Sequence, residues 1–287
     1  MNALDLTRRE FIGATSAATL ASVIPTSAAA RAPGLIDTNV SLSRWPFRRC
    51  PLDDTPALVA KLREHRVTQA WAGTFDALLH KDLATANAHL AAECRRHGRG
   101  ILIPVGAINP ALPAWEADLE RCARGHQMRG IRLLPNYHGY ALDDPRFARL
   151  LARATELNLL VQIALVQEDD RTQLPLAKAA PTDIAALPAL LKQQPRARVQ
   201  LLNAFRTLRG KPVLDLAALG VRFEIATLES VAGIGTLLKQ LAPDRLCFGS
   251  HAPFYYFESA QLKLQESALS PEQFAAITYD NARKLLA

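Results

Sequence analysis

Asp37, Asn39 and Ser41 follow the apolar start of LIDTNVSLSRWPFRR (35–49) at every second position. An extended strand therefore points an acid, an amide and a hydroxyl to one face. Such a trio at a strand end serves either as a catalytic rim or as a hydrogen-bonded loop start. Arg132 and Asn136 share a face by the same alternation, and Tyr137 and His138 follow in PNYHGY. Asn203 ends RVQLLN, Glu229 follows FEIATL, and His251 stands in GSHAPF. Imidazoles take protons near neutrality, amides and a phenol donate to a developing oxyanion, and a guanidinium holds an anion. Each type also has a plainer use. Asn39, Asn136 and Asn203 suit βα turns, and a His after a strand caps a loop. An inward-pointing Arg132 requires a partner such as Asp37 or a ligand anion. Asp170 and Arg171, in QEDDR, read as part of a solvated loop.

The elements that must position these residues are eight short apolar runs, at 35–40, 67–73, 101–108, 130–135, 159–165, 198–203, 221–226 and 246–250. Helical patterns lie between them. The clearest has Asp144 as N-cap, Pro145 in the first turn, and Phe147, Leu150, Leu151, Ala154 and Leu157 on one face. Ser270 to Gln273 spell a capping box for the last helix. The runs start 23 to 39 residues apart, about one β/α unit each. Their near-continuous apolar character suits strands buried on both faces. The pattern predicts an α/β fold, a single-domain (β/α)8 TIM barrel over 31–287, with an open doubly wound sheet as its competitor. No Gly-rich phosphate fingerprint follows the first run, which counts against the competitor. In a barrel the site gathers at the C-terminal strand ends, where all the polar residues above fall. The one long connection, Gln167 to Pro181, is a candidate lid.

Residues 1–30 read as a twin-arginine signal peptide: paired Arg8 and Arg9, then Phe11 and Ile12, an Ala-rich apolar stretch, and Ala28-Ala29-Ala30 as the cleavage site. The expectation is export to the periplasm through the twin-arginine translocase, with no stable membrane anchor. Asp5 and Glu10 cancel Arg8 and Arg9, so the formal charge of +7 stays with the mature chain. That balance favours an anionic small-molecule substrate. The cations form no stripe with interleaved aromatics, so nucleic acid is not expected. Cys50, Cys94, Cys122 and Cys247 have no metal-type spacing and are expected to be free, mostly buried thiols. The sequence leaves the oligomeric state open.

The order IDTNVSLSRWPFRR, GIRLLPNYHGY, RVQLLNAF, FEIATLES and LCFGSHAPFYYFES…NARKLL resembles the amidohydrolase superfamily, specifically its amidohydrolase-related group of TIM-barrel hydrolases and decarboxylases. The resemblance spans the mature chain, and the FGS-x-x-P…NA-x-x-L block is its most specific piece. It implies a divalent metal, usually zinc, held by His-x-His on strand one and by one His each on strands five and six. At those places this chain has Asn39, Ser41, Ala164 to Gln167, and Asn203. The Asp that ends strand eight in the family is His251, and strand four offers no Lys for a carbamate. No metal ligand is therefore assigned, the cofactor stays unknown, and a replacement site from Asp37, His138 and His251 stays open.

The resemblance implies a hydrolase, here expected to be exported and to act without a tightly held metal on a small amide, ester or lactone, which the net charge of +7 makes anionic. His251 is expected as general base, and Asp37 or His138 as its orienting group or substitute. Arg132 is expected to hold a substrate carboxylate, Asn39, Tyr137 and Asn203 to donate to the developing oxyanion, and Asn136 to line the substrate site. The alternatives are a decarboxylase of the same group and a non-catalytic periplasmic binding protein.

Overall fold

The computed structural model describes residues 34–287. The signal-peptide reading of residues 1–30 lies outside the described residues. All eight apolar runs form strands: β1 Leu35–Leu42, β2 Val67–Thr74, β3 Leu102–Pro104, β4 Gly106–Ala107, β5 Gly130–Leu133, β6 Leu160–Ala164, β7 Arg198–Leu202, β8 Arg222–Glu224 and β9 Leu246–Cys247. The third run is split into β3 and β4 after Pro104, whose ring leaves no N–H for the ladder. Val105 keeps the two pieces in line by donating to Ala72 O at 2.8 Å.

Each pairing is parallel, in the orders β1-β2-β3 and β4-β5-β6-β7-β8-β9. The chain after β9 returns to β1. Thr38 N donates to Phe248 O (3.0 Å), His251 N to Asn39 O (2.8 Å), and Ser41 N to Ala252 O (2.9 Å). These bonds, with the parallel bridge of Val40 to Ala252, join the last strand position to the first. The architecture is the eight-position α/β barrel that the spacing predicts.

The helix Pro145–Glu156 buries Phe147, Leu150, Leu151 and Ala154 against the strands, and Asp144 caps it by accepting from Arg146 N at 2.8 Å. Ser270 and Gln273 form the expected capping box. The final helix Asn281–Leu286 closes the barrel floor, with Ala282, Leu285 and Leu286 packed on Ile36, Trp71, Val105 and Leu160. Above that apolar floor lies a layer of buried polar side chains, and the candidate site stands on that layer. All four cysteines are free and buried. Among the described residues no helix is long and apolar enough to cross a membrane.

Candidate active site

The first departure from the alternation rule is in β1. One extra residue between Asp37 and Val40 shifts the register against β2, so Thr38 and Asn39 both reach partners on distant strands. Thr38 Oγ1 donates to Phe248 O at 2.9 Å and accepts from Gln200 Nε2 at 2.9 Å. Gln162 links the layer further, donating to Gln200 Oε1 (2.9 Å) and to Thr38 O (2.8 Å). Gln162 and Gln200 are single polar residues within apolar runs. That isolation is the signal of them that the sequence carries.

Arg132 completes this layer. Its guanidinium donates to Gln162 Oε1 (2.9 Å), Val40 O (2.9 Å), Ser41 Oγ (3.3 Å) and Trp71 O (3.2 Å). Gly73 makes room for it, since a Cβ there would stand 2.7 Å from Nη1. The side chain is buried, and burial lowers its pKa to about 10, so it remains a cation at neutral pH. Sequence reasoning expects Arg132 to meet a substrate carboxylate, and in this geometry its partners are protein oxygens. The protein's own oxygens hold the guanidinium, and its charge acts through the field it sets for Asp37 and Glu224.

Over this layer stand Asp37, Asn39, Asn203, Glu224 and His251, all buried. Asp37 accepts from Asn39 N (3.1 Å), Ser250 N (3.0 Å) and Ser250 Oγ (2.5 Å). Glu224 accepts from Asn203 N (2.5 Å), Ala226 N (2.5 Å) and Asn39 Nδ2 (3.3 Å). Asn39 Nδ2 also donates to Asn203 Oδ1 at 3.0 Å. Burial pushes the Asp37 carboxyl to about 6 and that of Glu224 to about 7, outweighing hydrogen bonds that favour the charged forms. Glu224 is the buried carboxylate of this cluster that sequence reasoning missed. A lone acid inside the apolar run VRFEIA was its signal. Gly249 of the FGS block explains itself here, because a Cβ would lie 2.7 Å from Glu224 Oε2.

His251 is held in a single tautomer. Its Nε2 lies 2.8 Å from Gln167 O, an acceptor only, so Nε2 carries the proton. Nδ1 is buried without a hydrogen-bond partner among the described residues. The ring stacks on Phe254 at 5.2 Å, and burial lowers its pKa to about 4. At neutral pH it is a neutral N–H donor and a weak base. Both His251 (φ +58°) and Asn203 (φ +55°) sit in the left-handed region, which turns their side chains over the strand ends.

Asn136, Tyr137 and His138 occupy the short helix Pro135–His138 after β5. His138 Nε2 donates to Ala77 O at 2.9 Å, and Asn136 Oδ1 is buried without a partner among the described residues. Tyr137 packs edge-on against Trp45, 6.2 Å between ring centres. Among the described residues no hydrogen bond links this trio to Asp37 or His251. The structure thus unites Asp37, Asn39, Asn203 and His251 and sets His138, Asn136 and Tyr137 apart on the rim.

Trp45 closes the mouth, edge-on to Phe47 (5.5 Å), Phe75 (5.2 Å) and Phe254 (5.0 Å). Beside this cap opens a cleft of about 450 Å³ lined by Val166, Glu168, Asp170, Arg206, Arg209 and Glu229, among others. Glu229 pairs with Arg206 at 2.9 Å, so the expected rim acid lies in the cleft wall rather than at the centre. Arg171 points to solvent and pairs with Asp169 at 2.5 Å.

The sequence profile of the amidohydrolase family matches residues 43–287. The chain belongs to the amidohydrolase family. No curated protein matches the sequence. Among solved structures, the chain is similar to 5-carboxyvanillate decarboxylase from Sphingomonas paucimobilis, with 16% identity and a TM-score of 0.69, covering 88% of this chain and 98% of that one. It is also similar to 2,6-dihydroxybenzoate decarboxylase from Rhizobium, with 14% identity and a TM-score of 0.68, over 88% and 98%. These likenesses show the TIM-barrel fold.

The metal that the family resemblance implies does not fit the residues present. Zinc takes lone pairs of imidazole, thiolate or carboxylate. Here Asp37 and Glu224 each already accept three N–H or O–H donors, which leaves about one lone pair on each, and Asn39 and Asn203 face each other through their amides. His251 Nδ1 is the single free imidazole nitrogen at this centre. Among the described residues no group of three or more His, Cys, Asp or Glu is placed to hold a metal, so a site from Asp37, His138 and His251 does not form.

Proposed function

We propose that this amidohydrolase-family chain is an exported hydrolase that cleaves a small anionic amide, ester or lactone without a tightly held metal. The observation that carries the reading is Glu224: a buried carboxylate at the barrel mouth, held at about 7, bonded to Asn39 and Asn203. A group of that pKa both takes and returns a proton at neutral pH. Glu224 accepts a proton as water attacks the carbonyl carbon. Asn203 Nδ2 and the Nε2–H of His251, 3.5 Å apart, donate to the oxygen that becomes negative. Collapse of the adduct breaks the bond to the amine or alkoxide, which leaves with the proton that Glu224 held. Asp37 fixes Ser250 and the β1 bulge, and Arg132 supplies the positive field.

In the cleft wall Arg206 is paired with Asp169 and Glu229, which leaves Arg209 as the cation that an anionic substrate would meet. The same half-protonated Glu224 suits protonation of carbon after loss of CO2, which supports a decarboxylase of this family as the second reading. Export by the twin-arginine pathway rests on the motif around Arg8 and Arg9.

The test is turnover of an ester, lactone, amide and aromatic-acid panel by the mature protein, with and without chelator. Hydrolysis that survives chelator and falls by roughly two to four powers of ten in Glu224→Gln supports the proposal. CO2 release in its place selects the decarboxylase. Tight binding without turnover of any compound leaves a binding protein.

A further inference from the structure

Three consecutive residues that lead from β6 into the long connection are each latched to the barrel mouth. Val166 O accepts from Asn203 Nδ2 at 2.8 Å, and Gln167 O accepts from His251 Nε2 at 2.8 Å. Glu168 Oε1 accepts from Arg48 Nη1 at 2.5 Å. Two of the three latches are thus made by the donors assigned above to the reacting oxygen, and what they hold are peptide carbonyl oxygens.

We propose that residues 166–168 form a strap that fills the carbonyl-binding position of the site, so that the closed molecule holds its own peptide where the substrate's acyl group binds. The inference rests on the hydrolase reading and specifies its substrate as a secondary amide bearing a carboxylate, of the N-acyl amino acid kind.

The donor pair recognises a carbonyl oxygen because both nitrogens present N–H and neither partner can be a donor. A secondary amide resembles most closely the peptide unit now held. The strap is also the wall between the centre and the open cleft, since Val166 and Glu168 line that cleft. Its displacement joins the two spaces. Arg209 on the cleft wall makes no ion pair among the described residues, so its charge is left for a substrate carboxylate.

The ends of the strap are fixed. Leu165 N donates to Leu202 O at 3.0 Å, and Gln173 ties the following loop together, accepting from Ala179 N at 2.9 Å. Movement is thereby confined to the strap and the loop beside it. Arg48 lies over the Phe254 ring at 4.6 Å, and His251 stacks on the same ring, so the outer latch and the inner one share a support. Releasing the Arg48–Glu168 pair raises the population of the open, binding-competent form, and apparent affinity rises in proportion to that population.

The experiment compares wild type with Glu168→Ala and Arg48→Met, using N-acetylglycine as probe and pentanoate, of equal chain length without the amide carbonyl, as control. Binding is read calorimetrically, and hydrogen exchange is read at the amides of 166–168. Expected are a gain in N-acetylglycine affinity of about ten-fold or more in both variants, faster exchange in the strap, and no gain for pentanoate. If Glu168→Ala fails to fold, Arg48→Met carries the test, because the Arg48 side chain is 42% exposed. Equal affinities in wild type and folded variants overturn the strap, as does an equal gain for pentanoate. A selective gain without cleavage of N-acetylglycine keeps the strap and removes the N-acyl amino acid as substrate, and no turnover across the panel above removes the hydrolase reading. Cleavage at one rate in all three proteins keeps the hydrolase and removes the strap.

Discussion

Glu224 and His251 are pushed in opposite directions by the same burial, the carboxyl up to about 7 and the imidazole down to about 4. Each favours its neutral form, because a charge in a closed barrel loses its hydration. The consequences for stability differ in sign. Between pH 4.5 and 7 folded Glu224 holds a proton that the unfolded chain releases, so its contribution is present below 4.5 and lost as pH rises to 7. His251 contributes above its ordinary 6.5 and loses that contribution as pH falls to about 4. Glu224→Gln should therefore gain about 3 kcal/mol on wild type between pH 4.5 and 7, read from urea denaturation at each pH. A difference that is flat with pH would contradict the raised carboxyl. Arg132 is a structural cation, so Arg132→Gln should lower stability by roughly 3 kcal/mol, since it strips the partner charge from two buried carboxylates. An intact melting temperature together with a raised Michaelis constant would return Arg132 to the substrate.

At the scale of elements, barrel closure depends on a short last strand. β9 spans Leu246–Cys247, and the bonds that complete the ring come from Phe248 to Ala252 beyond it. Asn281 secures this segment from the final helix by donating to Pro243 O (2.8 Å) and Leu246 O (2.7 Å) while fully buried. Asn281→Ala leaves two carbonyls without those partners and should cost about 2 kcal/mol. Hydrogen exchange should then rise first at Thr38 and Ser41, whose amides bond to Phe248 and Ala252. Uniform change across the barrel would argue against a local role.

For the whole molecule, the compartment and the thiols make linked claims. Replacing Arg8 and Arg9 together by Lys should keep the protein in the cytoplasm, and the exported form should begin at Arg31; normal export of the variant would remove the twin-arginine reading. Burial pushes Cys94, Cys122 and Cys247 to about 12 and raises Cys50, so none presents a thiolate at neutral pH. The native protein should react with a thiol reagent by less than one group, and with four after denaturation. Rapid labelling of the native state would show that one of these sites opens.

Strand positions, helix faces and caps were legible in the amino-acid sequence because they repeat a local rule. Apolar runs of 5 to 8 residues at β/α spacing have few other ways to bury both faces, and Asp144 and Ser270 cap within four residues of themselves. The same rule placed Asp37, Asn39, Asn203 and His251 at one mouth. It failed where a contact spans distant strands. The β1 bulge turned Thr38 inward against the alternation, and Gln162, Gln200 and Glu224 looked like lapses in apolar runs. Arg132 donates to four protein oxygens, and His138 joined Ala77 rather than Asp37. Which nitrogen of His251 holds the proton depended on a carbonyl 84 residues away in sequence. A side chain's type is a property of the sequence, whereas its proton, partner and exposure belong to the neighbours that only barrel closure brings within about 3 Å.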